Sequence, residues 1–327
     1  MPLVVIAGGT SKSLGRSITQ AIITAYPDGK WKPVILSRSD EPPSWASKLL
    51  SSSFEIRKVD YSSPPSLDAA LKGSHTVISV ILGKDETHVT HQISLLEAAV
   101  RAGAKRFVPS DWASPPAGTR KVTMLNMAKP PVWEACERSN IQWARFNVGT
   151  FMNYLGVGCS DDKEVEEKAC AGVDREGDMP DGSGAFLISL SSATAEIPMR
   201  EDGGYPGITL TEIDNVGEFV AAALELESWE TDMNIVGSNI RFDELLELCE
   251  EVRGKKFVVT PLTKSGLEKE IASLESPLSL KQLWLELKLQ TATDIFGEMI
   301  FEPVVNSLCP LVKAVDVETY LRKHWMK

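Results

Sequence analysis

The stretch Leu3–Ile18, LVVIAGGTSKSLGRSI, joins an apolar run to a glycine-rich turn and then to a second apolar pattern. The run Leu3–Ala7 is rich in β-branched residues, which predicts a buried strand. After the turn, apolar side chains recur at the spacing of a helix, at Ile18, Ala21, Ile22 and Ala25. The predicted order is therefore strand, glycine turn, helix.

This order is typical of a turn that binds the diphosphate of a dinucleotide, because a helix N-terminus offers free N–H groups and glycine lets the backbone approach the ligand. The spacing departs from the usual G-x-x-G-x-x-G: counting back from Gly15 places the first glycine at Gly9 and a lysine, Lys12, at the middle position. Starting at Gly8 makes the turn one residue longer. A turn that uses glycine only for its geometry is the alternative. The predicted diphosphate contacts are Gly8, Thr10, Ser11, Lys12, Ser13, Leu14 and Gly15.

Composition sets the class of protein. The 327 residues are 43% hydrophobic and have a formal net charge of −11, with the 34 basic residues scattered along the chain, so we expect a globular protein that does not bind nucleic acid. No apolar run reaches about 18 residues and no secretory leader pattern is present, so we expect no membrane association and a cytoplasmic location.

The five cysteines are widely spaced and predict reduced thiols. His88 and His91 lack a third ligand, so no metal site is predicted.

The rest of the chain alternates strand and helix patterns. Further strands are predicted at 32–40, 53–61, 75–82 and 105–110, with helices at about 66–72 and 90–102 between them. Another helix at 132–139 leads into a strand at 141–149 that is closer to the edge of the sheet. This alternation predicts an α/β fold, a Rossmann-type doubly wound parallel sheet.

We expect the chain to divide into two domains. Residues 1–155, with a returning strand and helix at about 205–238, would form the nucleotide domain. Residues 156–204 and 239–327 would form a smaller α+β substrate domain. The stretch 156–186 is acidic and glycine-rich, which favours a solvated surface segment over the alternative of a lid above a site.

Arg38 follows the second predicted strand, about 23 residues after Gly15, where an NAD-binding protein places an acid against the ribose. An acid there repels a 2′-phosphate, whereas a guanidinium flanked by Ser37 and Ser39 pairs with it. The sequence therefore favours NADP(H) as the cofactor. A surface arginine at a strand end is the alternative.

Several stretches together resemble the NmrA-like and isoflavone-reductase-like branch of the atypical short-chain dehydrogenases. They are AGGTSKSLGRSI, VISVIL with Gln92 downstream, LLEAAVRAGAKRFVPSDW, the spaced Lys129, TEIDNVGEF and RGKK. The resemblance implies an NADP-binding Rossmann domain, a small substrate domain and a catalytic lysine twelve residues before Ile141, which is Lys129. Glu137 also falls where the family has an acid. Pro130 and Pro131 replace helix-forming residues after the lysine, and we expect them to start a helix at Lys129.

Position in the predicted fold assigns the other site residues. Asp60 and Tyr61 would flank the adenine, Ile81 and Leu82 the nicotinamide, and Asn147, Val148 and Phe151 the far wall. The remaining cofactor contacts are predicted at Ser37, Gln92, Ser110 and Lys129 itself, which either acts as a proton donor or only binds the cofactor ribose. Trp112 is as consistent with a pocket wall as with the core. The substrate candidates are Trp112, Met152, Phe296 and Phe301.

Three functions fit these residues. The first is an NADPH-dependent reductase of a carbonyl, imine or activated alkene in a bulky, hydrophobic polycyclic or aromatic secondary metabolite. The second is an NADP(H)-bound enzyme that performs a redox-neutral or redox-assisted cyclisation. The third is a non-catalytic NADP sensor. The sequence leaves open whether the chain is a monomer or a homodimer.

Overall fold

A parallel sheet of six strands forms the centre of the N-terminal half. The computed structural model describes residues 1–39, 41–49, 53–81, 87–173, 177, 179–276 and 278–326. Every pairing in this sheet is parallel, and the strand order is β3-β2-β1-β4-β5-β6. The strands are β1 Leu3–Ala7, β2 Lys32–Ser37, β3 Glu55–Lys58, β4 Ser74–Ser79, β5 Arg106–Val108 and β6 Gln142–Trp143.

Helices cover both faces of the sheet, because successive residues of the strands point to opposite sides. Val4 and Ile6 of β1 join the core that contains the first helix, whereas Val5 and Ala7 join the core on the other face. The helices of this half are α1 Leu14–Ala25, α2 Pro64–Ala70, α3 Thr87–Arg101, α4 Pro116–Thr119, α5 Thr123–Ala128 and α6 Pro130–Arg138. The predicted doubly wound α/β fold is confirmed. The strand order reverses between β1 and β4, so the ligand crevice of this architecture lies above their carboxyl ends.

The stretch 141–149, expected as one strand, is two. After β6 the chain leaves the sheet, and β7 Arg145–Asn147 pairs in parallel with a later strand, β12 Asp232–Asn234. Ala144 is fully buried between them. The apolar pattern is continuous through this break, which explains why it does not mark the change of partner.

The returning strand and helix also differ from the expectation. The strand, β11 Gly207–Thr211, pairs with β8 Thr150–Phe151 and with β13 Ser238–Arg241 in a separate three-stranded sheet. Its helix, α8 Ile213–Ala223, does pack against α1. The approach is close, because a side chain at Gly217 would place its Cβ 2.3 Å from Ser17 Oγ.

A second core lies in the C-terminal part. A three-stranded sheet in the order β14-β10-β9 packs with the later helices around fully buried side chains such as Tyr320 and Phe242. Its strands are β9 Ile188–Ser189, β10 Thr194–Pro198 and β14 Val258–Leu262. The helices beyond the first half are α7 Lys163–Cys170, α9 Phe242–Arg253, α10 Lys264–Ala272, α11 Leu280–Thr293, α12 Val304–Leu308 and α13 Val317–Trp325.

The acidic stretch after residue 156 is not a solvated segment throughout, which corrects the sequence expectation. The start of α7 is exposed, but Cys170, Val173 and Met179 are buried in the same core as Leu14 of α1. The buried residues Ala169, Cys170, Ala171 and Val173 form one short group, and the largely charged stretch 174–178 separates them from Met179. Their spacing therefore carries no periodic signal.

Candidate active site

The glycine turn between β1 and α1 is tightly packed. Gly8 has φ +77°, and a Cβ there would lie 3.0 Å from the backbone of Val80. A Cβ on Gly15 would lie 2.6 Å from Gly9 O, and Gly15 N donates a 2.9 Å hydrogen bond to Ser11 Oγ. Gly9 and Gly15 thus touch across the turn. The turn needs glycine at these positions because other residues would clash or be strained there.

An open cleft of about 860 Å³ lies above the carboxyl ends of β1 to β4. Its size is within the range of small-molecule and cofactor sites. It combines residues of the glycine turn with residues that directly follow β2, β3 and β4. Its lining is Gly8, Thr10, Ser11, Leu36, Arg38, Lys58, Val59, Asp60, Tyr61, Ser62, Ser66, Val80, Ile81, Thr87, His88 and His91.

Two cations line the same cleft. Arg38 is exposed directly after β2, and Lys58 ends the neighbouring strand β3, where it pairs with Ser37 in the parallel register. Sequence reasoning missed Lys58, because only the pairing of β2 with β3 brings it to the same edge of the sheet as Arg38. Ser37 itself is buried, and its Oγ accepts a hydrogen bond from Ser39 N.

Tyr61 connects the end of β3 to the glycine turn. Its hydroxyl oxygen accepts a 3.1 Å hydrogen bond from Gly8 N, and its ring lies 6.1 Å from that of His91. Burial raises the pKa of the Tyr61 phenol to about 12, so the hydroxyl stays protonated at neutral pH. The adjacent Asp60 is exposed, and hydrogen bonds from Ser62 lower the pKa of its carboxyl group.

The glycine turn is held from two further directions that the sequence did not predict. Trp45, in the 3₁₀ turn Ser44–Lys48, donates a 3.1 Å hydrogen bond from Nε1 to Thr10 O. On another side, a Cβ at Gly172 would lie 2.8 Å from both C and Cβ of Lys12. The lysine at the expected middle glycine is exposed, and its carbonyl accepts a hydrogen bond from Arg16 Nε.

Lys129 is the buried N-cap of α6, with Pro130 and Pro131 as the first helical residues. The predicted helix start is therefore confirmed. Lys129 Nζ donates to the backbone oxygen of Asp111 and lies 3.5 Å from Asp111 Oδ1. Burial lowers the pKa of the Lys129 ammonium, while the charge and hydrogen bonding of Asp111 act in the opposite direction. Glu137 is exposed on α6, so the acid beside the lysine is Asp111.

Lys129 is connected to the cleft through the segment that follows β5. Next to Asp111, Trp112 Nε1 donates a 2.8 Å hydrogen bond to Ser79 O, and Ser79 precedes the cleft residues Val80 and Ile81. Gln92 of α3 spans the same strand ends. Its Nε2 donates to Ser79 Oγ at 2.8 Å, and its Oε1 accepts from Ser110 N at 3.4 Å.

The residues expected on the far wall are packed inside the protein. Asn147 Nδ2 donates to Asp232 and Asn234, and the fully buried Val148 donates its N–H to Ala113 O. Phe151 instead lines a small apolar cavity of about 20 Å³ next to the second core. These three residues do not line the cleft above β1 to β4, and Leu82 lies outside the described residues.

The four substrate candidates are not brought together. Trp112 is buried and stacks on Phe146 at 5.7 Å between ring centroids. Met152 is fully buried in the second core and Phe301 is almost completely buried, whereas Phe296 is 62% exposed. None of the four lines either cavity.

Within the described part of the chain, no group of three or more His, Cys, Asp or Glu is placed to hold a metal ion. All five cysteines lie among the described residues, where each is buried and none is joined in a disulfide. No helix among those described residues has the length and apolar character needed to cross a membrane.

Known proteins share this fold and its N-terminal sequence pattern. The sequence model of the NmrA-like family matches residues 2–156, so the predicted resemblance to that family is confirmed for this part of the chain. Over its length, the chain is 25% identical to oxidoreductase BOA1 of Botryotinia fuckeliana (strain B05.10), an alignment of 326 residues that covers 95% of this chain and 96% of that protein.

Two solved structures extend the similarity to the whole fold. The structure of AtPrR2 with NADP+ and (+)-pinoresinol matches with a TM-score of 0.71 and 18% identity, over 99% of this chain and 98% of that chain. The binary complex of leucoanthocyanidin reductase with NADPH from Vitis vinifera also matches with a TM-score of 0.71, at 16% identity, over 99% and 100%. At these identities the structural matches establish a shared fold.

Proposed function

We propose that the cleft above β1 to β4 binds NADP(H) and that the protein is a reductase. The observation that carries this proposal is the glycine turn that opens onto the same cleft as Arg38 and Lys58. The turn would hold the diphosphate through its backbone N–H groups and the N-terminus of α1, while the two cations pair with the 2′-phosphate. Tyr61 and Asp60 would border the adenosine half. When bound, the reduced nicotinamide would supply a hydride.

Lys129 is the proposed proton donor. Reduction of a carbonyl, imine or activated alkene delivers a hydride to carbon and needs a proton for the atom that gains negative charge. Lys129 Nζ would hold that proton and give it up as its N–H bond breaks, and solvent would then protonate the amine again. Burial lowers the pKa of this ammonium, which brings proton release closer to neutral pH. Lys129 does not line the cleft itself, and the support for this role is its hydrogen bond to Asp111, because the adjacent Trp112 is bonded to Ser79 at the end of β4 beside the cleft.

A bulky, hydrophobic aromatic or polycyclic metabolite is the proposed substrate class. (+)-Pinoresinol is the second ligand of the AtPrR2 structure, and the other solved neighbour is named for leucoanthocyanidin. We further propose that an extended apolar substrate reaches the region of Phe151, where β8 meets the C-terminal core and a small apolar cavity of about 20 Å³ lies. We propose that residues 156–204 and 239–327 form the substrate domain.

The test is a titration with NADPH and NADP+, followed by assays with candidate aromatic carbonyl, imine and alkene compounds that monitor loss of the reduced-nicotinamide absorbance. We expect turnover in the wild type, and in Lys129→Ala a loss of about 100-fold or more in kcat with cofactor affinity within about twofold of the wild type. Lys121→Ala is the control, because Lys121 is paired with Glu298 and does not line the cleft.

The same experiment separates the other two functions. Product formed without net consumption of NADPH would indicate that the protein catalyses a cyclisation and not a reduction. Equal affinity for NADPH and NADP+ with no chemistry on any compound would favour a sensor and contradict the reductase.

A further inference from the structure

Asp111 is a buried carboxylate at the carboxyl end of the central sheet. It is 4% exposed and comes three residues after the end of β5. Its Oδ2 accepts a 2.6 Å hydrogen bond from Trp133 Nε1. Its other oxygen, Oδ1, faces Lys129 Nζ at 3.5 Å and has no hydrogen-bond partner within the described part of the structure. A buried charge in this state is costly unless it is paired with an opposite charge.

Glu286, another buried carboxylate of the chain, accepts more hydrogen bonds than the carboxylate of Asp111 does. Glu286 of α11 is 8% exposed, and both of its oxygens are bonded to Thr123, at 2.6 Å each, with Gln282 also donating to Oε1 at 2.7 Å. Protein hydrogen bonds therefore satisfy both oxygens of Glu286. The carboxylate of Asp111 accepts one hydrogen bond, at Oδ2, and its Oδ1 faces the ammonium of Lys129.

We propose that Asp111 is a positioning residue that holds the Lys129 ammonium in place at the end of β5. This inference rests on the proposed reductase function, because the group that Asp111 orients is the proposed proton donor. Two features fix the pair. The prolines after Lys129 define its backbone at the start of α6. Trp133, one helical turn later, binds Oδ2 of Asp111, which leaves Oδ1 facing Lys129 Nζ.

The surroundings leave Lys129 as the counter-ion of Asp111. Arg145 lies over the Trp133 ring at 4.8 Å, but its guanidinium forms two hydrogen bonds with Asp232, at 2.8 and 2.9 Å. Arg120 lies over the same ring at 5.4 Å, and among the described residues the ion pair of Asp111 is with Lys129. Glu137 is exposed on α6, and burial raises the pKa of the Cys136 thiol to about 12, so that thiol carries no charge at neutral pH.

Removing the carboxylate charge would leave a buried ammonium without its counter-ion. Asp111→Asn keeps the shape and the Trp133 hydrogen bond, so the expected change is confined to charge. The pKa of Lys129 would then fall, because burial favours the neutral amine when no negative charge opposes it. A donor with a lower pKa loses its proton at lower pH, so the basic limb of the reduction rate should also move to lower pH.

The direct test is NMR titration of protein labelled with [13Cε]lysine, without cofactor or substrate, with the Lys129 signal assigned by its loss in Lys129→Arg. We expect the titration midpoint to fall by about one pH unit or more in Asp111→Asn and to return towards the wild type in Asp111→Glu. Glu298→Gln is the matched control, because Glu298 is also a buried carboxylate paired with a lysine, Lys121, and its loss should leave the Lys129 midpoint unchanged.

Trp133→Phe provides a second variant that keeps both charges. Freeing Oδ2 lets the carboxylate turn away, so a smaller fall of the Lys129 midpoint is expected. An unchanged midpoint in Trp133→Phe and in whichever Asp111 variant folds would overturn the proposal. The measurement uses the free protein, so an absence of hydride transfer in the wild type would contradict the reductase function alone. If the wild type does reduce a substrate, Asp111→Asn should lower kcat about tenfold or more at pH 8 with little change in KM.

Discussion

The charges of Arg38 and Lys58 set the expected preference between phosphorylated and unphosphorylated dinucleotides. A guanidinium and an ammonium at adjacent strand ends offer several charge-assisted hydrogen bonds to a 2′-phosphate. NADH lacks that phosphate, so it gains nothing from either cation. The difference between the two cofactors therefore isolates the contribution of this corner of the cleft.

Arg38→Glu should weaken NADPH binding by about 10-fold to 100-fold, because a charge-assisted contact worth roughly 1.5–3 kcal/mol is replaced by repulsion. NADH affinity should change by less than about threefold. Calorimetric titration of both cofactors checks the difference. Arg101→Glu is the control, because Arg101 is exposed on α3 and paired with Asp68 outside the cleft. An equal loss for NADPH and NADH in Arg38→Glu would contradict the assignment of the 2′-phosphate.

At the level of single residues, the sequence predicted side chains that act from strand ends and missed those that depend on pairing or packing. Arg38 lies in the cleft because it follows an apolar strand, a pattern that is visible in the sequence. Lys58 needs the β2–β3 register, and Trp45 needs the path of a 3₁₀ turn between them. Asp111 lies in a stretch that the sequence singled out, yet its contact with Lys129 depends on where α6 begins.

Among the elements, the segment after α7 packs directly against the glycine turn. α7 ends in left-handed backbone at Ala171, with φ 47°, and Gly172 continues at φ +72° against Lys12. This contact joins a stretch far along the chain to the turn that would hold the diphosphate. Its packing should therefore influence both folding stability and cofactor affinity.

Gly172→Ala should lower NADPH affinity about threefold or more, because its Cβ would meet Lys12 at 2.8 Å and displace the turn. Gly182→Ala is a matched control. Gly182 has φ +70°, and no atom lies within 4 Å of an added Cβ there. Both variants therefore have the cost of left-handed backbone, about 1–2 kcal/mol. Only Gly172→Ala adds a steric clash with the glycine turn. Thermal unfolding and calorimetry on both variants provide the comparison, and equal cofactor affinity in the two would show that the contact does not act on the turn.

The alternation of strands and helices in the first half could be predicted because each element buries one regular face. Prediction failed where an element is short or changes partner, as at Gln142–Trp143 and Arg145–Asn147, which share one apolar run but pair in different sheets. It failed again at β11, whose buried residues fit the central sheet as well as they fit the separate sheet they join. Burial patterns do not encode which neighbour a strand selects.

For the molecule as a whole, the dependence of stability on pH should include a contribution from α13. His324 packs against the Tyr320 ring at 4.6 Å between centroids, and its Nε2 is buried without a hydrogen-bond partner within the described structure. Burial, with the nearby charge of Lys323, lowers the pKa of His324 from 6.5 to about 4. The folded protein therefore keeps this side chain neutral where the unfolded chain protonates it.

The free energy of unfolding should fall as pH decreases from about 6.5 towards 4, because the unfolded state binds more protons in that range. His324→Phe should make this fall smaller, by an amount on the order of 1–2 kcal/mol between pH 7 and pH 5. Above pH 7, where His324 is neutral in both the folded and the unfolded state, the substitution should not change how the free energy of unfolding depends on pH. Urea unfolding of the wild type and the variant at both pH values checks this. The same pH dependence in both proteins would show that His324 is not the group responsible.

Binding of a phosphorylated dinucleotide in the cleft is most directly tested by calorimetric titration of the wild-type protein with NADPH and, separately, with NADH. We predict one site per chain, a Kd for NADPH of about 10 μM or lower, and binding of NADH that is weaker by about tenfold or more. Absence of measurable NADPH binding, or equal affinity for the two cofactors, would contradict the assignment of the glycine turn, Arg38 and Lys58 to an NADP(H) site.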